Sequence, residues 1–398
     1  MSHSQIEVPL GIAMDGYGSR RSPALGTRDP LEATALFVAD EHRAAILVSL
    51  DLVAVDVRLV RQLRRLIHKE VGVACTLIAA THTHAGPTGV RTSTEGGSVT
   101  AAILDAVSSC VRRAAATAAP VQVRVGTGQM PATVATNRND PAAPIDRRLT
   151  LIRLLGTDGT LVGLLWHTGV HPTVLGPDNL QYSADLPGEV RRRLRRRDEP
   201  VMFLNGPAGD VSSRFVRRSR DGAELERLGG LLYEALPPTR RPIALAPVMG
   251  AERRLAVRAA HHDSKQTEQL RKRTLRNLQP QGLTGGERRR LESVLEGLAR
   301  LNRHQQDDVE AEVQVVRLGD LVVAAVPGEL VSALSRMRTK QPGVTLLLVG
   351  YANGYLGYLT EPRSDETTYE TLVSRVDSGV GERLITAAAD LQREIFSA

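Results

Sequence analysis

Short apolar runs, each halted by a turn that carries chemistry-bearing side chains, constrain this chain more than any other feature. Cys75-Thr76-Leu77-Ile78-Ala79-Ala80 leads into Thr81-His82-Thr83-His84-Ala85-Gly86-Pro87-Thr88-Gly89. An apolar run of that length reads as a buried strand, and its Gly-Pro tail as a turn. Residues two apart on a strand project to one face, so His82 and His84 are expected to reach a single point. The same kind of junction recurs at Val170-His171-Pro172-Thr173 and at Pro327-Gly328-Glu329. It recurs again in a glycine-rich stretch with Tyr351, Tyr355 and Tyr358, followed by Tyr369. In open α/β sheets, ligands bind where strands end at their carboxyl side.

Between the junctions the pattern alternates. Ala44–Asp51 reads as a strand. Val57–Glu70 reads as a helix with Val60, Leu63, Leu66 and Ile67 on one face, and it feeds the His82 strand, which makes a parallel βαβ unit. A second helix is expected over Thr100–Ala118, and Asp158-Gly159 turns a hairpin between Thr150–Leu155 and Leu161–His167. The stretch from 261 to 302 is charged and strand-poor. It reads as a helical hairpin, with Thr284 and Glu287 as a helix start. The expected fold is α/β, with mixed β-sheets flanked by helices in a single large domain (1–398) carrying this insertion at about 261–302.

The net charge is +7, mostly from arginine, and the densest run is Arg191-Arg192-Arg193-Leu194-Arg195-Arg196-Arg197. Such a run can grip phosphates or an anionic membrane surface. Because it follows Leu186-Pro187-Gly188, we expect a solvated helix face instead. Aromatic residues make up 3% of the chain, too few for base-stacking platforms, so no nucleic-acid partner is expected. Cys75 and Cys110 read as buried thiols. The amino terminus lacks an apolar leader and no apolar stretch reaches membrane-spanning length, so a cytoplasmic protein is expected.

Two histidines, a carboxylate and one open or weak position form the pattern of a catalytic zinc. Their spacing is long-range and matches no compact motif. The quoted pieces do, however, occur in a characteristic order. Ala80-Thr81-His82-Thr83-His84-Ala85-Gly86-Pro87, Asn137-Arg138-Asn139, His171-Pro172-Thr173, Gly209-Asp210-Val211-Ser212, Pro327-Gly328-Glu329, Tyr355-Leu356-Gly357-Tyr358-Leu359-Thr360 and Tyr369-Glu370 together resemble the catalytic domain of the neutral/alkaline non-lysosomal ceramidase family. The resemblance runs from about Val8 to Arg375.

It implies a zinc-dependent amidase acting on an N-acyl, ceramide-like amide. It further implies His82, His171, Glu329 and Tyr358 as zinc ligands, with His84, Arg138, Ser212 and Tyr369 lining the reacting centre. On this reading His84 is a proton shuttle of near-neutral pKa. Arg138 and a tyrosine hydroxyl stabilise the oxyanion, and either Ser212 or water attacks. The chain departs from the family in replacing Pro-Asn after the serine by Ser213-Arg214, and in a Tyr358–Tyr369 segment one residue shorter than expected. Neither the signal peptide nor the carboxyl-terminal immunoglobulin-like domain of the secreted ceramidases is expected.

Each residue has a structural reading too. Asp51 would cap the helix after it, and Arg138 would clamp Asp140 or Asp146. Ser212 would be a helix N-cap. Tyr358 would be a core tyrosine, and Glu329 would cap a helix starting at Leu330. Two rival functions remain open at this point. One is an ester hydrolase or acyltransferase on the same site. The other is a non-catalytic protein that binds nucleic acid or anionic membrane through Arg191–Arg197. Oligomeric state is not legible.

Overall fold

The computed structural model describes residues 1–88, 96–301, 309–337, 341–361 and 368–397. Gly89, Asn302 and most of the segment between Tyr358 and Tyr369 lie outside the described residues.

Three mixed sheets form the frame. The first orders Ser2–Gln5, Glu32–Ala39, Ala44–Leu50 and Cys75–Ala80. The second orders Val201–Asn205, Leu161–Thr168, Arg148–Gly156, Val121–Gln129 and Arg241–Ile243, and the third Val248–Val257, Val309–Leu318, Leu321–Ala325 and Thr345–Val349. The strands read as apolar runs because both faces of a sheet are covered. Along Ala44–Leu50, for example, Ile46, Val48 and Leu50 face the helices Val57–Val71 and Gly96–Ala116. Ala45 and Leu47 face the opposite way, into a core shared with Ile152 and Leu165 of the second sheet and Val316 and Val323 of the third. The period of two thus sorts one strand between two cores. Helices Asp185–Leu194 and Gly222–Glu234 cover the outer face of the second sheet, and Val380–Ser397 that of the third.

Each sheet holds one parallel pair: Ala44–Leu50 with Cys75–Ala80, Leu161–Thr168 with Val201–Asn205, and Leu321–Ala325 with Thr345–Val349. Parallel strands end together, so their loops gather at one place. Backbone and side-chain hydrogen bonds lock the three ends to one another. The buried Asn205 donates to Thr81 O (3.1 Å) and Val170 O (2.9 Å), Gly350 N donates to Asn205 O (3.0 Å), and Ala80 N donates to Tyr351 O (3.0 Å). Here the carboxyl-end rule acts across three sheets at once.

The βαβ unit and the 158–159 hairpin form as expected, and the second helix starts at Gly96. The charged hairpin is Ser264–Asn277 and Gly285–Arg300, the latter opened by a Thr284–Glu287 capping box. Among the described residues no helix is long and apolar enough to cross a membrane. Cys110 is buried and Cys75 half-buried, both as free thiols.

Several expectations change. Glu329–Leu330 is a two-residue parallel bridge to Tyr358–Leu359, and only a 3-10 turn, Ser332–Met337, follows it. No helix starts at Leu330 for Glu329 to cap. Val211–Ser212 likewise bridges Thr136–Asn137, so Ser212 caps no helix. Asp56 caps the Val57 helix, and Asp51 instead receives Arg191. The arginine run is a solvated face only in part: Arg192, Arg196 and Arg197 are exposed, while the others turn inward. Arg191 is buried between Asp51 and Glu32, Arg195 grips Glu32 with both nitrogens (2.8 and 2.9 Å), and Arg192 and Arg193 both bind Glu189. Carboxylates of the chain itself thus take up the charge of Arg191, Arg192, Arg193 and Arg195.

Candidate metal centre and active-site cleft

His82 and His84 converge for a reason other than strand alternation. Their strand stops at Ala80, and His82 adopts a left-handed backbone with φ +70°. Histidine is among the few non-glycine residues found there, and such strained positions gather at functional sites. His82 N is held by Leu52 O (2.9 Å), and its ring stacks on Tyr351 with centroids 4.1 Å apart. His84 is seated by Gly16, where an added Cβ would fall 2.5 Å from the His84 ring. His171 arrives from the end of Leu161–Thr168.

The three rings bring their Nε2 atoms together. His82 Nε2 lies 3.2 Å from His171 Nε2 and 3.2 Å from His84 Nε2. The other nitrogens of two rings face carbonyls: His82 Nδ1 is 2.6 Å from Val53 O, and His171 Nδ1 is 3.1 Å from Ala208 O. A carbonyl only accepts, so each Nδ1 donates its proton there, and each ring turns its Nε2 inward. Glu329 completes the group, with Oε2 3.3 Å from His82 Nε2 and 4.0 Å from His171 Nε2. That oxygen is buried without a hydrogen-bond partner. Its twin, Oε1, accepts the Tyr355 hydroxyl.

Imidazole nitrogens at hydrogen-bond distance from one another, beside a buried carboxylate oxygen without a hydrogen-bond partner, suit a cation between them. His82, His84 and His171 form a group that could hold a metal ion. Imidazoles that donate their second N–H to backbone carbonyls are the usual support for such a role. Burial pushes the His84 pKa well below the ordinary histidine value, with further lowering from the His82 and Arg138 charges. The expectation of a near-neutral His84 is therefore corrected. Burial also pushes the Glu329 carboxyl up, but His82 and Tyr355 outweigh it and hold the group below its usual value.

The remaining expected residues lie around this group. Tyr358 is buried and shares with His82, His84, Glu329 and Tyr369 the lining of a cleft of about 660 Å³. Arg138 is buried, its guanidinium 5.0 Å from the Tyr358 ring centre and 5.1 Å from that of Tyr369. Its Nε donates to Glu370, not to Asp140 or Asp146, while its Nη2 has no hydrogen-bond partner. Ser212 is buried, its Oγ accepts Arg214 N (3.1 Å), and it lines a second lobe of about 310 Å³ with His84, Arg138 and His171. Among the described residues Ser212 makes no hydrogen bond to an imidazole.

Sequence reasoning passed over several partners. Glu370 anchors both Arg138 and Asn139 (2.9 Å), and Asp210 receives Asn137 Nδ2 (2.8 Å) and Ser332 N (2.7 Å). Arg20 holds the His84 carbonyl (2.9 Å), and Arg300 binds the Tyr369 hydroxyl (2.7 Å). Glu370 directly follows a noted tyrosine, and Tyr355 was part of the noted cluster. Asp210 stands in the Gly209–Ser212 motif, and no local signal marks Arg20 or Arg300.

No protein-family profile matches the chain. A neutral ceramidase of Mycobacterium tuberculosis (strain ATCC 25618 / H37Rv) is 26% identical over 255 residues, covering 57% of this chain and 40% of that protein. The chain thus spans less than half the length of this curated relative. The crystal structure of neutral ceramidase from Pseudomonas aeruginosa superposes with a TM-score of 0.77 at 19% identity, covering 98% of this chain and 73% of that one. A ceramidase complexed with C2 gives 0.76 at 17% identity, covering 99% and 74%. At such identities the structural likenesses establish the fold, and the sequence match adds to them independently. The chain is thus similar in sequence to one neutral ceramidase and shares the fold of solved ceramidases.

Proposed function

We propose that this protein is a zinc-dependent amidohydrolase that cleaves the amide bond of an N-acyl, ceramide-like substrate. One observation carries the reading: three imidazole Nε2 atoms and the unpartnered Glu329 Oε2 converge at the floor of a cleft. The likeness to neutral ceramidases supports it.

His82, His171 and Glu329, with the Tyr358 phenol, are the residues that would hold the ion. When bound, zinc lowers the pKa of water towards neutrality and polarises a carbonyl. Tyr355 restrains Glu329 through Oε1, leaving Oε2 turned to the imidazoles. His84 takes up the proton of the attacking group at Nε2 and returns it to the departing amine. Its depressed pKa keeps that nitrogen unprotonated beforehand. Arg138 is gripped by Glu370 through Nε, and its spare Nη2–H is the donor available to an oxyanion. Ser212 has no base in hydrogen-bond contact among the described residues, which favours water as nucleophile and Ser212 as a positioning residue. Tyr369 covers Arg138 and is itself held by Arg300.

The test is elemental analysis together with a screen of N-acyl amides of graded chain length. Stoichiometric zinc and amide cleavage are expected, with both lost in His171→Ala and only turnover lost in Ser212→Ala. A metal-free protein that cleaves none of the series would sink the proposal.

A further inference from the structure

The two lobes of the cleft differ in chemistry. The lobe of about 660 Å³ carries Val53, Ala299, Leu301 and Val373 beside its tyrosines, together with Asp15, Arg300 and Arg375, so it offers an acyl chain some aliphatic contact. Among its described lining residues, the Ser212 lobe has no leucine, isoleucine, valine, phenylalanine or methionine. Arginine dominates instead: Arg214, Arg217, Arg220, Arg289 and Arg300 join Arg138, against the single carboxylate of Glu296.

These guanidinium groups differ from those of the Arg191 run, because several have no acid to meet. Arg289 does bind Glu292 (3.0 Å) and Glu296 (3.2 Å). Arg214 donates to Ser293 Oγ (2.9 Å), and Arg217 donates to Thr173 O (2.7 Å). Both acceptors are neutral. Among the described residues no carboxylate lies within 4 Å of Arg214, Arg217 or Arg220. Burial and the neighbouring charges of Arg138 and Arg289 push the Arg214 pKa down to about 10. Like charges gathered around a partly buried lobe repel one another, and an anion placed among them removes that repulsion. The set is continuous with the reacting centre, since Arg214 follows Ser212 by two residues and its backbone N–H binds the serine oxygen.

We infer that the amine half of the substrate carries an acidic oxyanion, a carboxylate or phosphate ester, which Arg214, Arg217 and Arg220 receive while the acyl chain occupies the other lobe. This inference rests on the amidohydrolase reading. It narrows the substrate from a neutral ceramide-like amide to an N-acyl amine bearing an acid. Guanidinium suits either acid because its planar fork matches both oxyanions.

The test uses the purified protein with its metal and three substrates sharing one acyl chain. Their amine halves are a neutral amino alcohol, an amino acid and a phosphorylated amino alcohol. One acidic substrate should exceed the neutral one in kcat/KM by at least about tenfold, as expected for a charge-assisted hydrogen bond. That ratio should collapse towards one in Arg214→Gln/Arg217→Gln and persist in Arg240→Gln, a distant surface arginine. Which acidic substrate leads identifies the oxyanion. A neutral substrate matching both acids, or a ratio unmoved by the double substitution, overturns the inference. If no amide is cleaved, the hydrolase reading fails, and calorimetric titration of the same three compounds still decides this one. Acid-selective binding that the double substitution removes supports it, and equal binding overturns it.

Discussion

Two polar clusters are buried within this molecule, and they settle their charges in opposite ways. Around Arg191, two cations meet two anions: Arg191 binds Asp51 at 2.7 Å, and Arg195 clasps Glu32. The remaining Arg191 donor goes to Pro30 O (3.1 Å). Around His82, three imidazoles turn their Nε2 atoms towards one another, and the carboxylate beside them keeps an oxygen without a hydrogen-bond partner. The first cluster sets a guanidinium against each carboxylate, although Asp51 Oδ1 is left without a hydrogen-bond partner, and the second gathers three imidazoles and a carboxylate that could hold a cation. Neither burial of polar side chains nor a single unpartnered oxygen therefore marks a site by itself. Several metal-binding groups converging on one point are the stronger sign.

Substitution in each cluster should separate the two roles. His171→Ala is expected to abolish metal binding and reduce amide cleavage to background, while circular dichroism reports a folded protein. Loss of fold instead would make the imidazoles structural. Arg191→Met should do the reverse. It strands Asp51 in the interior, Glu32 keeping Arg195, at a cost of about 3–5 kcal/mol, read as a lower denaturant midpoint, while the protein that remains folded keeps its metal. Equal metal loss in both variants would erase the distinction.

Tyr355→Phe removes the hydroxyl that restrains Glu329. A drop of about 10–100-fold in metal affinity or activity is expected, by competition with a chromophoric chelator. An unchanged affinity would mean that Glu329 needs no such support.

The smallest effect concerns His167, a buried imidazole outside the group, bonded to Leu348 O at 3.0 Å. Burial pushes its pKa down to about 4. A histidine kept neutral by folding is protonated more readily in the unfolded chain, so its stabilising contribution is full above about pH 6.5 and declines as pH falls towards 4. From pH 7 to pH 5 the loss should be about 2 kcal/mol. His167→Gln should flatten that segment of the pH profile in urea unfolding. An identical profile would assign the acid sensitivity elsewhere.

What could be read along the chain was local. The apolar runs, the βαβ unit, the 158–159 hairpin and the Thr284–Glu287 capping box depend on residues a few positions apart, and all of them form. The histidine junctions were legible as well, yet the reason given for their convergence was wrong. Alternation along a strand was expected, whereas a left-handed His82 beyond the strand makes the turn. The arginine run shows the same limit. Its composition suggested solvent, but Glu32 and Asp51, brought from far along the chain, bury part of it.

By itself, then, the amino-acid sequence determined the α/β pattern, the junctions where side chains with metal-binding chemistry leave the strands, and the order of motifs shared with the ceramidases. Tertiary structure decided which partners meet. Arg138 finds Glu370 across 232 positions, and Arg191 finds Asp51 across 140. Separations of that size leave no periodicity to read, because the pairing is set by the packing of three sheets and not by the local backbone. The gathering of arginines in one lobe also belongs to the tertiary level, for the residues that line it are scattered through the chain.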